Sequence, residues 1–233
     1  MTEHPKIVAI IFARMGSTRL PGKTLAMVGE LPLIEHVIRR ANAIKGVSQV
    51  ILAIPDSENP VDLLGILTRN SAQLFKGHPT DVAKRALDCA KHCNADYFFR
   101  INGDSPCIDP DQMTDAVAIA KKSPNLDFVT NIPGRTFPYG VSVELIKTET
   151  LRKAYPNFSD SQKEHVTAYF YDHLDKLQSH QITSDHLSLS KARLVVDTPQ
   201  DLSRIDSLLT GSHPEDIPYE NIASAYLKKF SEE

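Results

Sequence analysis

A regular alternation of strand-like and helix-like segments runs through the first half of this chain. Six consecutive apolar residues, Ile7–Phe12, are typical of a buried strand, and the apolar residues of Leu33–Ala43 recur at the spacing of an amphipathic helix. The two patterns continue to alternate, with strands expected at Val50–Ile54, Gln73–Lys76 and Tyr97–Ile101 and helices at Val61–Asn70, Asp81–His92 and Asp111–Lys122. This order predicts an α/β fold in which helices flank a mainly parallel, mixed sheet.

The second half of the chain is less regular. Its expected elements are short strands at Phe128–Thr130, Val141–Leu145 and Leu194–Val196 and helices at His165–Leu174 and Pro199–Leu209. No internal repeat and no linker rich in glycine or serine divides the chain. We therefore expect one domain over residues 1–233, in which about 131–190 form an inserted lobe that covers a sheet edge.

The helix expected at Asp81–His92 divides cleanly into two faces. Its apolar side chains are expected to point into the protein, and its cations Lys84, Arg85 and Lys91 are expected to point toward solvent.

Composition excludes several classes of protein. The 233 residues are 41% hydrophobic and 24% charged, as in ordinary globular proteins, and no stretch is long and apolar enough to span a membrane. A net charge of −3 and 7% aromatic residues argue against a nucleic-acid-binding module. The N-terminus lacks the layout of a signal peptide. Three cysteines, an odd number, are expected to be free buried thiols, which indicates a cytoplasmic protein.

A basic loop follows the first strand. The segment Ala13–Lys23 combines cations, hydroxyls and glycines, namely Arg14, Arg19, Lys23, Ser17, Thr18, Gly16 and Gly22. Loops at the carboxyl ends of strands are where open α/β sheets bind ligands. Arginine and lysine neutralise phosphate oxygens, and hydroxyls and backbone N–H groups complete an anion site. The loop is therefore predicted to bind a polyphosphate, although a solvated basic loop would have the same composition.

The loop differs from the P-loop of many nucleotide hydrolases. Gly22-Lys23-Thr24 matches the end of that motif, but Gly16 lies one residue too far upstream and Pro21 lacks the N–H that the motif uses. We therefore disfavour a P-loop enzyme.

Two carboxylates are expected to face this loop. Asp104 follows the strand Tyr97–Ile101, and Asp197 follows the expected strand Leu194–Val196, so both should lie at the carboxyl edge of the sheet. Gly103 permits close backbone approach or a backbone conformation that side chains disfavour. Two carboxylates beside a polyphosphate suit Mg²⁺, which prefers oxygen ligands. The alternatives are a turn at Asp104 and a helix N-cap at Asp197.

Three segments resemble the signature blocks of the sugar-acid cytidylyltransferases. They are residues 13–23, residues 100–106 (Arg-Ile-Asn-Gly-Asp-Ser-Pro) and residues 195–202 (Val-Val-Asp-Thr-Pro-Gln-Asp-Leu), in the family's order. The family includes CMP-Kdo synthetases, CMP-sialic acid synthetases and the SpsF group of spore-coat polysaccharide proteins, whose first block is the most similar. The resemblance extends from about Ile7 to Leu209, and Glu164-His165-Val166 also matches the SpsF group.

This resemblance implies a Rossmann-like nucleotide-diphospho-sugar transferase fold, often dimeric through an inserted lobe. It also implies that CTP and a sugar acid give a CMP-sugar and pyrophosphate, with Mg²⁺ as cofactor. The motif assigns nucleotide contacts to Ala13, Arg14, Gly16, Ser17, Thr18, Arg19, Lys23 and Asp104, and catalytic roles to Arg14, Lys23 and Asp104. It assigns Mg²⁺ to Asp104 and Asp197. Arg100 is expected to face the sugar or its carboxylate.

Four further residues are candidates for substrate contacts. The family often has an acidic residue after the Phe-Pro pair, whereas here Phe137-Pro138 is followed by Tyr139. Tyr139 and Glu144 are expected to line the sugar pocket, although Glu144 also fits a surface strand. His165 is a candidate sugar contact, or a histidine with a structural hydrogen bond. Gly77 lies in a loop that either helps to bind the base or caps the next helix through Thr80 or Asp81.

Other activities remain open on the sequence alone. A nucleotidyltransferase could use another nucleoside triphosphate or a sugar that is not an acid. A nucleotide-sugar-dependent glycosyltransferase would be expected to carry an Asp-x-Asp motif, and Asn102-Gly103-Asp104 lacks the first carboxylate. A binding protein without turnover would not require both Asp104 and Asp197.

Overall fold

The computed structural model describes residues 4–209 and 213–230. Its strands are β1 (Ile7–Phe12), β2 (Met27–Val28), β3 (Leu31–Pro32), β4 (Val50–Pro55), β5 (Gln73–Gly77), β6 (Tyr97–Asn102), β7 (Phe128–Thr130), β8 (Glu144–Lys147) and β9 (Ser179–Gln181). Its α-helices are α1 (Leu33–Asn42), α2 (Val61–Arg69), α3 (Val82–His92), α4 (Pro110–Lys122), α5 (Thr148–Ala154), α6 (Asp160–Glu164), α7 (Ala168–Asp172), α8 (Pro199–Asp206) and α9 (Tyr219–Phe230). No helix within these ranges is long and apolar enough to cross a membrane.

Seven strands form one mixed sheet in the order β5-β4-β1-β6-β8-β7-β9. The pairs of β1 with β4 and β6, of β4 with β5, and of β7 with β9 are parallel, whereas β8 is antiparallel to both β6 and β7. β2 and β3 form a separate hairpin. The predicted α/β fold with a mainly parallel, mixed sheet is confirmed.

The reversed direction of β8 determines which residues meet at one edge of the sheet. Because β8 runs opposite to β6, its first residue, Glu144, lies beside the end of β6, where Arg100 and Asn102 are. Thr130, at the end of β7, is paired with Glu144. The residues about 131–190 thus contribute β8 and β9 to the main sheet, and their proposed role in dimerisation stays a prediction.

Hydrophobic residues cover both faces of the sheet. All six residues of β1 are buried, and they alternate between the faces with the two-residue period of a strand. Ile7, Ala9 and Ile11 pack with α1, α2 and α4, whereas Val8 and Ile10 pack with α3. A third cluster joins α8 and α9 to the buried segment 192–196. The three cysteines are buried and free, as predicted, and burial raises the pKa of Cys107 to about 12.

Two strand predictions in the second half were wrong in detail. Leu194–Val196 is buried, but among the described residues it is part of no sheet. It is held by an isolated parallel bridge between Tyr139 and Arg193, in which the Leu194 N–H donates to the Tyr139 carbonyl at 2.7 Å. β8 begins at Glu144 instead of Val141. The Asn131 side chain explains this, because it donates to the Val141 carbonyl at 2.9 Å and accepts from the Val143 N–H at 2.8 Å, so a side-chain amide replaces strand pairing there.

The helix predicted at His165–Leu174 is present but shorter. His165 ends α6 with a non-helical backbone, and α7 covers only Ala168–Asp172. Val166 is fully buried among apolar side chains beneath the sheet, and a β-branched residue loses side-chain freedom in a helix. Val166 and Thr167 lie in the turn that precedes α7.

A buried carboxylate connects α1 with α2. Glu35 is fully buried and accepts hydrogen bonds from Arg69, from Arg39 Nη2 at 3.1 Å and from Asn70 Nδ2 at 3.1 Å. Burial alone would raise its pKa, but these donors favour the charged form and lower the pKa to about 2. The network holds the two helices together on the same face of the sheet.

We predict that Glu35→Gln lowers the free energy of unfolding by about 2 kcal/mol at pH 7. This is less than the pKa shift alone would give, because Arg69 is half exposed and solvent screens its charge. Because the folded-state pKa lies below the ordinary value, the stabilisation is complete above about pH 4.5. It is lost as the pH falls toward 2, so the two proteins should converge there.

Urea unfolding between pH 3 and 8 measures this difference. Glu149→Gln is the matched control, because arginine also lowers the pKa of Glu149, yet its pair with Arg152 is exposed and should change stability little. A pH-independent gap between Glu35→Gln and the unmodified protein would contradict the assignment.

Candidate active site

A cleft of about 450 Å³ opens at the carboxyl ends of β1, β4 and β6. The loop after β1 forms one wall, and β6 supplies Arg100 and Asn102. A second compartment of about 300 Å³ adjoins it over β6, β8 and the segment 132–142, and the two share Arg19, Arg100, Asn102, Asp104 and Asp197. The arrangement can hold a two-part substrate, with one part on each side of the shared residues.

The loop 13–23 places its cations around the larger compartment. Arg14, Arg19 and Lys23 all line it, together with Ala13, Ser17 and Thr18. The loop's shape is maintained by local bonds: the Met15 N–H donates to the Glu58 carboxylate at 2.9 Å, and the Thr24 hydroxyl donates to the Arg14 carbonyl at 3.0 Å. Gly16 lies on the exposed part of the loop and is not among the lining residues.

Lys23 bridges the two predicted metal-binding carboxylates. Its Nζ lies 2.8 Å from Asp104 Oδ2 and 3.3 Å from Asp197 Oδ1, and its side chain is only 15% exposed. Arg19 Nη2 and Arg193 Nη2 also approach Asp197, at 3.4 and 2.9 Å. The structure thus brings Asp104 and Asp197 together, as the sequence predicted.

The physical cause of this meeting is different from the one expected. Asp197 does not follow a sheet strand; instead, the Val196 N–H donates to the Asp104 carbonyl at 2.9 Å and fixes the two residues side by side. Thr198, not Asp197, is the N-cap of α8, in a capping box with Asp201. The Asp197 carboxylate is therefore free of capping and faces the cleft.

Gly103 permits the close approach at the end of β6. Its N–H donates to the Phe12 carbonyl at 2.9 Å, and a Cβ there would lie 2.9 Å from that of Ala13. Because no side chain fits that space, glycine at this position lets the end of β6 and Asp104 lie against the loop after β1.

The two carboxylates fit a magnesium ion in charge and donor type. Their oxygens already converge on one cation, the Lys23 ammonium. Within the described residues no group of three or more Asp, Glu, His or Cys side chains could hold a metal. Mg²⁺ typically takes one or two carboxylates and completes its shell with phosphate oxygens and water, so Asp104 and Asp197 match that pattern.

A buried hydrogen-bond chain forms the floor of the smaller compartment. Arg100 Nη1 donates to Glu144 Oε2 at 3.1 Å, and the Tyr171 hydroxyl donates to Glu144 Oε1 at 2.6 Å. The Thr130 and Tyr171 hydroxyls lie 3.1 Å apart. Burial, reinforced by the Glu144 charge, raises the pKa of Tyr171 far above its usual range, so the phenol remains a donor.

The other wall of the smaller compartment is an exposed aromatic ring between two cations. Arg193 and Arg135 lie over the Tyr139 ring at 4.9 and 5.5 Å from its centre. Gly140, with φ of 104°, would place a Cβ 2.4 Å from the Leu194 carbonyl oxygen, so only glycine lets this loop approach the segment 192–196.

Of the remaining predicted residues, His165 lies at the rim of the larger compartment and Gly77 does not line it. His165 is exposed and lines the rim of the larger compartment, and no hydrogen bond of its side chain occurs within residues 4–209 and 213–230. Asp81, as the alternative prediction held, caps α3 by accepting from the Lys84 N–H at 2.7 Å. Gly77 is not among the lining residues; a Cβ there would lie 2.9 Å from Arg85 Cγ.

Sequence reasoning missed several residues of the cleft. The prediction that Arg85 faces solvent was wrong: it is 4% exposed and lines the larger compartment. Burying a cation is costly, so a sequence pattern predicts that Arg85 faces water. The one contrary signal was Gly77, which lacks a side chain and so leaves room for Arg85 to be buried. Arg135, Arg193 and Tyr171 come from segments without strong periodicity.

We predict that Tyr171→Phe lowers the free energy of unfolding by roughly 1–3 kcal/mol, because it removes a donor from the buried Glu144 carboxylate. Tyr155→Phe is the matched control: Tyr155 donates to Asp81 at 2.7 Å, but both residues are partly exposed, so water replaces the lost bond. Chemical denaturation of both variants measures the difference. Equal losses of unfolding free energy in the two variants would contradict a larger contribution from the bond to the buried Glu144.

Known proteins with similar sequences include a polysaccharide biosynthesis protein and a cytidylyltransferase. The chain is 26% identical over 219 residues to the Bacillus subtilis protein named spore coat polysaccharide biosynthesis protein SpsF, covering 90% of this chain and 89% of that one. It is 33% identical over 128 residues to 3-deoxy-manno-octulosonate cytidylyltransferase of Maricaulis maris, covering 53% of this chain and 48% of that one.

A solved structure shows the likeness over nearly the whole chain. A cytidylyltransferase from Leptospira borgpetersenii superposes with a TM-score of 0.89 at 27% identity, covering 98% of this chain and 96% of that one. The family model described as cytidylyltransferase matches residues 8–229. The resemblance stated from the sequence is confirmed, and the chain belongs to the cytidylyltransferase family.

Proposed function

We propose that this protein transfers CMP from CTP to a sugar acid of the Kdo or nonulosonate type, with release of pyrophosphate, for surface polysaccharide biosynthesis. One observation carries the proposal: the cations of the loop 13–23 face Asp104 and Asp197 across a cleft, with the Lys23 ammonium between the two carboxylates. This arrangement of charges suits a triphosphate together with a divalent cation.

The chain's own residues act by positioning and charge stabilisation. Attack of a sugar hydroxyl on the α-phosphorus places negative charge on phosphate oxygens and on the departing pyrophosphate. Arg14 neutralises the α- or β-phosphate, and Lys23 and Arg19 are placed to neutralise the leaving group. Bound by Asp104 and Asp197, Mg²⁺ would supply further charge stabilisation at the phosphates.

The smaller compartment is the proposed sugar site. It adjoins the shared residues Arg100 and Asp104, so an acceptor there reaches the α-phosphate side of the larger compartment. Arg135 has no carboxylate partner within the described residues and can pair with a sugar carboxylate. Tyr139 is exposed beside Arg135 in the same compartment and can contact the sugar. We also propose that the enzyme is a cytoplasmic homodimer and that residues of the 131–190 segment form the dimer contact.

A sugar that is not an acid is the second candidate for the acceptor. Glu144 is buried in the smaller compartment and already neutralises Arg100, so that arginine carries little free charge for a substrate carboxylate. A carboxylate such as Glu144 accepts hydrogen bonds well from sugar hydroxyls.

Pyrophosphate release tests the proposal. The purified protein is incubated with Mg²⁺, each of the four nucleoside triphosphates, and a panel of sugar acids and neutral sugars, with reactions lacking sugar as controls. Release with CTP and one sugar acid supports the proposal. Release with CTP and a neutral sugar alone assigns the second candidate, and release only with another triphosphate contradicts the CTP assignment.

We predict that Asp104→Asn and Asp197→Asn each lower kcat by about 100-fold or more, because each removes a charge that faces the phosphates and the metal. Asp115→Asn, an exposed carboxylate on α4, is the matched control and should leave kcat unchanged. Pyrophosphate release and thermal melting are measured on all three variants. Near-normal turnover in either cleft variant would refute the two-carboxylate metal assignment.

A further inference from the structure

Arg14 differs from the other cations of the loop 13–23 in how its side chain is held. Lys23 and Arg19 each contact a carboxylate of the cleft, whereas no hydrogen bond or ion pair of the Arg14 side chain occurs among the residues that the structure describes. The Arg14 side chain is exposed and lines the larger compartment. Its direction is therefore set by the backbone that carries it.

The peptide unit that joins Arg14 to Met15 is held at both ends. Its carbonyl oxygen accepts from the Thr24 hydroxyl at 3.0 Å, and its N–H donates to the two oxygens of the Glu58 carboxylate at 2.9 and 3.0 Å. Because a peptide unit is planar, bonds to its two polar groups fix the orientation of that plane beside the Arg14 Cα. Hydrogen bonds to a charged group are the stronger kind, so Glu58 is the larger of the two constraints.

The parallel pairing of β1 with β4 brings Glu58 to this peptide. The two strands end at the same edge of the sheet, where Phe12 is paired with Ala53, so the segments that follow them leave side by side. Glu58 lies just beyond β4 in a turn where its own N–H donates to the Pro55 carbonyl at 3.1 Å. It is not among the described residues that line either compartment, so its effect on a ligand must pass through the loop 13–23.

We infer that Glu58 is a positioning residue, whose carboxylate holds the 14–15 peptide so that the Arg14 guanidinium faces the phosphates of CTP. This inference rests on the proposed function. The sign of the effect separates positioning from general electrostatics. Removal of a negative charge near a triphosphate reduces repulsion and tightens binding. Loss of the Glu58 carboxylate should instead weaken binding, because the backbone at Arg14 is no longer fixed.

Calorimetric titration with CTP and with inorganic tripolyphosphate, in the presence of Mg²⁺, tests this role. Glu58→Ala removes the acceptor, Glu58→Asp keeps the charge but shortens the reach, and Glu58→Gln keeps an acceptor oxygen but loses the charge. Asp56→Asn is the matched control for charge. Asp56 is exposed in the same turn and attracts Arg85 as Glu58 does, but within residues 4–209 and 213–230 it makes no hydrogen bond to the loop 13–23.

Arg14→Met should weaken the binding of both ligands by roughly tenfold or more, as loss of a charged hydrogen bond does. Glu58→Ala and Glu58→Asp should each weaken it by roughly fivefold or more, whereas Glu58→Gln and Asp56→Asn should stay within about twofold of the unmodified protein. The double variant Arg14→Met/Glu58→Ala should bind no more weakly than Arg14→Met, because Glu58 acts through that arginine. Thermal melting checks that each variant is folded.

Three results would overturn the inference. Unchanged or tighter binding in Glu58→Asp and Glu58→Ala would show that the bond to the Met15 N–H does not direct Arg14. Losses that multiply in the double variant would give Glu58 an effect that does not pass through Arg14. Failure of the unmodified protein to bind CTP would remove the proposed function as well, whereas the first two results leave that function intact.

Discussion

The parallel pairing of β1 with β6 is the constraint on which the site depends. Both strands are almost wholly buried, so their register is set by hydrophobic contacts on the two faces of the sheet. The pairing ends where the Gly103 N–H meets the Phe12 carbonyl, and there the two chains diverge into the loop 13–23 and Asp104. A shift of one residue would move each side chain to the opposite face of the sheet and separate the cations from the carboxylate they face.

Charge balance within the cleft follows from this geometry. Lys23 neutralises parts of two carboxylates, and Asp197 shares three cations, Lys23, Arg19 and Arg193. The pairs of Lys23 with Asp104 and Asp197 are partly shielded from water, which strengthens the attraction and makes it costly to leave either carboxylate without that lysine, whereas Arg19 is mostly exposed. In the proposed complex, a triphosphate takes Lys23 and Arg19 from Asp197, and both cations return to that carboxylate when the triphosphate leaves.

The sequence was informative where one local pattern decides the structure. The apolar run Ile7–Phe12 and the spacing of Leu33–Ala43 predicted β1 and α1 to within one residue at each end, since such regular patterns leave few alternatives. Gly103 was expected to allow a close approach, and it does. The proximity of Asp104 and Asp197 was predicted correctly from a wrong premise, because a single backbone hydrogen bond, not a sheet strand, brings them together.

Predictions failed where a tertiary contact outweighed local preference. Asn131 replaces strand pairing near Val141 with its own side-chain amide, and the sequence pattern of valines does not reveal such a partner. The helix expected at His165–Leu174 covers only Ala168–Asp172, and the buried Val166 lies in the turn before it. Arg85 is the clearest case, since a cation on a helix normally faces water. Its burial depends on an absent side chain at Gly77, a residue eight positions away on a different element.

The order of strands across the sheet also explains why one fold can serve several substrates. In the proposed complex the phosphates lie over β1 and β6 and the acceptor lies over β8, so the two parts meet different elements. The phosphate region is held by the most buried strands, whose replacement would disturb the core. The acceptor region is formed by β8 and by loops around Tyr139 and Gly140, which can change with less effect on the sheet. Acceptor choice is therefore free to vary while the phosphate chemistry stays constant.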